Sequence, residues 1–294
     1  MLLPQELSDM IIDYLHNDEA ALRSAGLVCK SWFPESRFQL FSDIKLSVYN
    51  STSGLSEAIC AQGSTIPPYI LHLEIENKGQ DAKNDVDLAL LRLPPFSNLK
   101  TLSLGQINWA SLTGAKKCVT TMAQTITTLS LCYFTVSAQP LILWFFTLPQ
   151  TIYIILLEQF ETVDDAVTLI ASAPCLENLI FWSVQCDDDG SNTWNYSSSQ
   201  AIPPPLGRIQ IDMNPLTDVI LNWVCHCYPT PIVHTLVIDE FTELYIPTMC
   251  NFIRYLGSTL ENLTISCPFP ESDRKYIYLR TFFILFCRFK FKIV

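Results

Sequence analysis

The feature that most constrains this chain is a six-residue pattern that returns along most of its length. The pattern is L-x-x-L-x-L, with L any aliphatic residue or Phe. It occurs as ILHLEI from Ile70, LKTLSL from Leu99, ITTLSL from Ile126 and IYIILL from Ile152. It occurs again as LENLIF from Leu176, LGRIQI from Leu206, VHTLVI from Val233 and LENLTI from Leu260. Successive starts lie 29, 27, 26, 24, 30, 27 and 27 residues apart, and a weaker copy, FSDIKL, begins at Phe41. Units of this length cannot each enclose a core. Every unit must bury one face against its neighbours, so the chain has to stack rather than close around one centre.

Each interval also holds a stretch with helical spacing, at 85–93, 115–124, 164–172, 216–227 and 248–256. Asp164 and Asp165 suit a helix N-terminus, where a carboxylate meets free N–H groups and the positive end of the dipole. Pro94, Pro149, Pro174 and Pro229 follow the helical stretches and stop them. One short strand plus one helix per unit gives an α/β chain. Over residues 43–270 it resembles a leucine-rich-repeat protein of the helix-containing kind. That resemblance implies a horseshoe solenoid, with a parallel sheet on the concave side and helices on the convex side. One departure is visible: the third position after the template, often Asn in the family, is Ile107, Phe134, Phe160, Val184 and Phe241 here, with Asn214 the single match. Apolar side chains are therefore expected to pack these turns.

Strand side chains alternate. If template positions four and six point inward, positions three, five and seven line the sheet's open face. Most of those positions are polar or small. Two neighbouring repeats differ: Ile154, Leu156, Ile180 and Trp182 would form an apolar patch flanked by Glu158, Arg208 and Asp212. A contiguous apolar patch with a polar rim marks an interaction site, and Trp is favoured as an anchor. We expect Ile154, Leu156, Ile180, Trp182 and Arg208 to contact a target protein; the competing expectation is that a loop or the C-terminal tail covers them. The candidate cover is an insertion at 187–205, rich in Asp, Ser, Asn and Pro, which carries Trp194 and Tyr196.

Residues 1–42 do not follow the repeat. Leu7, Ile11 and Leu15 fall at i, i+4 and i+8, an apolar stripe on one helix face with Ile12 beside it. Pro4 suits a first helical turn. Asn17 or Asp18 would cap a second helix ended by Gly26, and a third would begin near Leu27 with Val28, Cys29 and Trp32. Read from the residues alone, this segment is equally a cap for the solenoid or a partner surface. The order L-P-x-E-L-x-x-x-I-x-x-x-L, then L-V-C-K-S-W, resembles an F-box; here it is Leu3, Pro4, Glu6, Leu7, Ile11 and Leu15, then Leu27 to Trp32. An F-box followed by divergent leucine-rich repeats is similar to the large F-box families of fungi. The resemblance implies a substrate-recognition subunit of a cullin–RING ubiquitin ligase. Leu3, Pro4, Leu7, Ile11, Leu15, Leu27, Val28, Cys29 and Trp32 would then bind the Skp-type adaptor, and the repeats would hold the protein to be ubiquitinated. The alternative is a non-catalytic repeat scaffold or ligand-binding protein whose N-terminal helices only cap it.

Other classes find little support. No phosphate-binding glycine loop, nucleophile elbow or zinc-protease motif occurs, and with four histidines an enzyme is not expected. No cofactor is implied. Cys225-His226-Cys227 lacks a second pair of ligands, and Asp187-Asp188-Asp189 lacks the alternation and distal Glu of a calcium loop, so neither is expected to hold a metal. The net charge of −11 disfavours nucleic-acid binding. No clean apolar run of spanning length or signal peptide is visible, so no membrane partner is expected. The eleven cysteines form no C-x-x-C pair, in keeping with an intracellular, cytoplasmic or nuclear, location. Residues 271–294 form a basic, aromatic tail or incomplete last repeat. In it Phe286, Phe289 and Phe291 would supply one more strand.

Overall fold

The structure, a computed structural model, describes residues 4–47, 54–76, 93–105, 125–132, 135–136, 151–155, 159–160, 163–182, 204–212, 214–227, 231–239, 245–266 and 290–293. The chain opens with three helices, α1 (Gln5–Asp13), α2 (Glu19–Val28) and α3 (Phe33–Phe41). Short strands and helices follow: β1 (Asp43–Ser47), α4 (Gly54–Cys60), β2 (His72–Glu76), β3 (Thr101–Gly105), β4 (Thr128–Cys132), β5 (Thr135–Val136), β6 (Thr151–Ile155), β7 (Gln159–Phe160) and α5 (Val163–Ala171). The remainder is β8 (Asn178–Trp182), β9 (Arg208–Asp212), α6 (Pro215–His226), β10 (Thr235–Asp239), α7 (Ile246–Leu256), β11 (Asn262–Ile265) and β12 (Lys290–Ile293). The fold is mixed α/β with parallel strands. It divides into two compact units, residues 1–130 and 131–294.

In the first unit the strand order is β1-β2-β3, then β4, which starts at the unit's end; β1–β2 and β2–β3 are parallel. In the second, β6 pairs β8, β8 pairs β9, β9 pairs β10, β10 pairs β11 and β11 pairs β12, all parallel. A small parallel pair, β5 with β7, lies beside them in sequence and includes Phe160.

One main-chain device recurs from repeat to repeat. The carbonyl of the second template residue accepts from two N–H groups of the next repeat, those of its second and third residues. Ser42 O accepts from Leu71 N at 2.9 Å and His72 N at 2.8 Å; Leu71 O accepts from Lys100 N at 2.8 Å and Thr101 N at 3.0 Å. Glu177 O does the same for Gly207 and Arg208, Gly207 O for His234 and Thr235, and His234 O for Glu261 and Asn262. This fixes the register, and the register fixes what is buried. Template positions one, four and six are buried in every repeat from Ile70 onward whose side chains are described, as in Ile70, Leu73 and Ile75 or Val233, Leu236 and Ile238. Position-one residues turn into the strand; positions four and six point from it.

The IYIILL repeat is corrected by this register. Thr151 stands opposite Asn178, a third template residue, so Ile152 takes the central place opposite Leu179. The repeat begins at Pro149, not Ile152. The run of aliphatic residues satisfied the pattern in a wrong frame, because a strand shifted by an odd step exchanges its two faces. The last strand is corrected too. Phe291 stands opposite Leu263, the central place, which Phe289 was expected to hold.

Helix ends follow local chemistry. Asp18, not Asn17, caps α2, its carboxylate accepting from Ala21 N at 2.9 Å. Gly26 does not end that helix, which runs on to Val28, and the third helix starts at Phe33 rather than near Leu27. Asn214 caps α6 by accepting from Thr217 N at 2.9 Å, so the one family-like asparagine serves a helix. The helices expected at 164–172, 216–227 and 248–256 are α5, α6 and α7. Those expected at 85–93 and 115–124, and the insertion at 187–205, lie almost wholly outside the described residues.

The three helices are fastened to the first repeat. Only Ser42, itself buried, separates α3 from β1. The Arg37 guanidinium lies 5.0 Å from the Phe33 ring, 5.4 Å from Phe41 and 5.9 Å from Tyr69, which sits just before β2. Such cation–π contacts are worth about 0.5–2 kcal/mol each according to burial.

Two stability measurements follow. Leu236→Ala should cost about 2–5 kcal/mol in chemical denaturation, and Val237→Ala, one position on, much less. Equal losses would refute the register. Gly26→Ala should stabilise by about 0.5–1 kcal/mol, since an alanine costs less chain entropy in a helix. Its Cβ would meet Ser36 Cβ at 3.6 Å, an ordinary contact.

Candidate functional site

Helix α1 buries Ser8 and Ile12 and turns its other apolar residues outward. Leu7, Met10, Ile11 and Tyr14 are exposed, at i, i+3, i+4 and i+7, so the helix is apolar on two faces. Helix α2 buries Leu22 and Ala25 but leaves Leu27 88% and Val28 63% exposed at its end. Phe33, opening α3, is exposed as well. Seven of the nine exposed large apolar side chains among the described residues therefore fall between Leu7 and Phe33. Gln5 Nε2 donates to Ser31 O at 3.0 Å and to Asp9 Oδ1 at 2.6 Å, which holds the start of α1 against the α2–α3 turn. The exposed end of α2 and the exposed stripe of α1 thus belong to neighbouring elements.

The nine expected adaptor-binding residues distribute as follows. Pro4, Leu7, Ile11, Leu27, Val28 and Cys29 are exposed, and Leu15 and Trp32 are half-buried. Leu3 lies outside the described residues. Sequence reading missed Met10, Tyr14 and Phe33. The i+3 and i+7 partners of Leu7 were the signal for the first two.

Cys29 lies in this face. Its Sγ is 3.1 Å from Ser31 Oγ, and that hydrogen bond, with a second from the Trp32 backbone, holds the thiol below its ordinary pKa. Burial acts the other way on α6. It pushes Cys225, which also feels Cys227, up to about 12, and Cys227 up to about 11. His226 between them is exposed, with Nδ1 2.7 Å from Asn222 O. Among the described residues no three His, Cys, Asp or Glu side chains gather as metal ligands. No described helix is long and apolar enough to cross a membrane.

The expected target surface is smaller than the sequence suggested. Trp182 is 51% exposed at the end of β8, and Arg208 is exposed at the start of β9. Ile180 is not part of the open surface: it is only 8% exposed. It sits mid-strand, flanked in register by Tyr153 and Gln210. Ile154 stands opposite Phe181, whose side chain is buried, so the corrected frame removes it from the outward row. Leu156 and Glu158 lie outside the residues whose placement and side chains are described. In the corrected frame Ile155 stands opposite Trp182 on β6, and the β9 and β10 side is polar. Arg208 Nη2 donates to Gln210 Oε1 at 3.1 Å, and Gln210 Nε2 donates to Asp239 Oδ2 at 3.0 Å.

No family model matches the chain, and a comparison with curated proteins finds no match.

The thiols offer a measurement. The thiolate is the form that reacts with an alkylating reagent, and a lowered pKa raises its fraction at a given pH. Near neutral pH Cys29 should be labelled well before Cys225 and Cys227. Ser31→Ala removes the largest cause of the lowering, so it should move the Cys29 rate profile to higher pH. An unmoved profile would show that Ser31 does not set the thiol's acidity.

Proposed function

We propose that this chain is the substrate-recognition subunit of an SCF-type cullin–RING ubiquitin ligase. In this reading residues 1–42 are an F-box that binds the Skp-type adaptor, and the leucine-rich-repeat strands hold the target protein. The observation that carries it is the uncovered apolar face of α1, α2 and the start of α3. A cap for a repeat stack keeps its outer face polar, since nothing packs there. Here that face carries Leu7, Met10, Ile11, Tyr14, Leu27 and Val28, at the positions the F-box resemblance assigns to the adaptor or beside them. Exposed apolar clusters of this kind mark protein-binding surfaces.

Within the first unit the helices are joined closely to the first repeat. The α3–β1 junction has one residue between helix and strand, and Arg37 spans α3 and the turn before β2. No catalytic step is assigned to the chain itself.

The test is co-purification with a Skp-type adaptor. The wild-type chain should retain the adaptor, and Leu7→Asp with Ile11→Asp should abolish retention, because an unpaired charge buried in an apolar interface costs several kcal/mol. Both positions are already exposed in the free chain, so the substitutions should leave its thermal unfolding nearly unchanged. Retention by the double variant, or no retention by the wild type, would overturn the assignment.

A further inference from the structure

The strand face of the second unit carries an exposed aromatic side chain with a particular charge pattern beside it. Trp182 ends β8 with its side chain half in solvent. The β8–β9 ladder pairs Phe181 with Ile211, and the next residue of each strand sets Trp182 beside Asp212. Asp239 stands opposite Asp212 on the next strand. Neighbouring strands lie about 4.8 Å apart, so the three positions span about 10 Å. Positions five and seven of β8–β11 contain no lysine or arginine. The nearest cation of those strands, Arg208 at position three, is turned to Gln210, and Gln210 in turn donates to Asp239.

We propose that the Trp182–Asp212–Asp239 row seats an arginine or lysine side chain of a basic target segment. The proposal rests on reading this strand face as the target surface, and it names the class of target. Three features of the row favour a cation. An exposed indole face attracts a guanidinium or ammonium through its quadrupole. The half-buried Asp239 carboxylate, two strands along, can meet the guanidinium fork and give it direction. Asp212 is only 6% exposed, with Asn214 Nδ2 donating to it at 3.2 Å, so its charge acts from a poorly screened place. An acidic segment would be repelled by the same row. A wholly apolar one would strip water from Asp239 without replacing its hydrogen bonds. The chain's net charge of −11 steers a basic partner toward it and an acidic one away.

The experiment is a fluorescence-anisotropy titration of the full chain with a labelled oligo-arginine peptide at an ionic strength of about 0.15 M, where long-range attraction is screened. An oligo-glutamate peptide of equal length is the control. The arginine peptide should bind saturably and the glutamate peptide should not. Trp182→Ala and Asp239→Asn should each weaken binding about threefold to tenfold. Trp182→Phe should keep most of it, and circular dichroism of each variant should match the wild type. An unfolded Trp182→Ala would leave Trp182→Phe and Asp239→Asn to decide. Equal affinity in wild type and Asp239→Asn would overturn the proposal, because binding would then be general attraction to an acidic chain. Absence of arginine-peptide binding would overturn it as well. The Leu7→Asp, Ile11→Asp variant should keep peptide binding. Peptide binding that depends on Trp182 in a chain that retains no adaptor would therefore sink the ligase reading and leave this one standing. Adaptor retention without such binding would do the reverse.

Discussion

Among the described residues, six repeats hang from a carbonyl of the repeat before them. The second template residue offers one oxygen to two successive N–H groups of the next strand, at Ser42, Leu71, Lys100, Glu177, Gly207 and His234 alike. Those bonds enforce a parallel register in which like positions meet like. Leu73 stands beside Leu102, and Leu236 beside Ile209 and Leu263. The inward rows therefore form continuous apolar layers from side chains that no single repeat could bury alone. Everything on the outward face, Trp182 and Asp239 included, is placed by that same register.

Much of this was legible because the repeat is redundant. A template seen eight times survives imperfect copies, and most inward residues follow from it directly. It failed where the sequence offered two frames. Around Ile152 six aliphatic or aromatic residues run together, and Pro149, the true first position, does not look like a template residue. The error moved the outward row by an odd step and brought Ile154 into the target patch. Ile180 was misjudged for another reason. Alternation tells which face a side chain takes, not whether its neighbours on that face leave it open. Gly26 shows the limit of composition: a glycine near a helix end reads as a stop, yet here the helix runs two residues past it.

The N-terminal helices show the converse. Periodicity found the stripe Leu7, Ile11 and Leu15, but only the fold shows that Ile12 points inward and that the stripe is left over. A helix apolar on both faces needs two partners. The chain supplies one, through α3 and its contacts with α1 and α2. The proposed adaptor supplies the other. The two surfaces named here thus differ in chemistry: a broad apolar face in the first unit, and a narrow aromatic and acidic row in the second. The proposed receptor role would use that difference, since its adaptor and its target are separate partners.

Hydroxyl-radical footprinting with mass spectrometry tests the central claim most directly. In the free chain Leu7, Met10, Ile11, Tyr14 and Val28 should be oxidised readily, while Ile12 and Leu22, both at most 1% exposed, should not. Added Skp-type adaptor should protect the first group and leave Trp182 as reactive as before. An unreactive first group in the free chain would show that the face is already covered. A reactive group that the adaptor does not protect would show that it serves another partner. Either result would contradict the account.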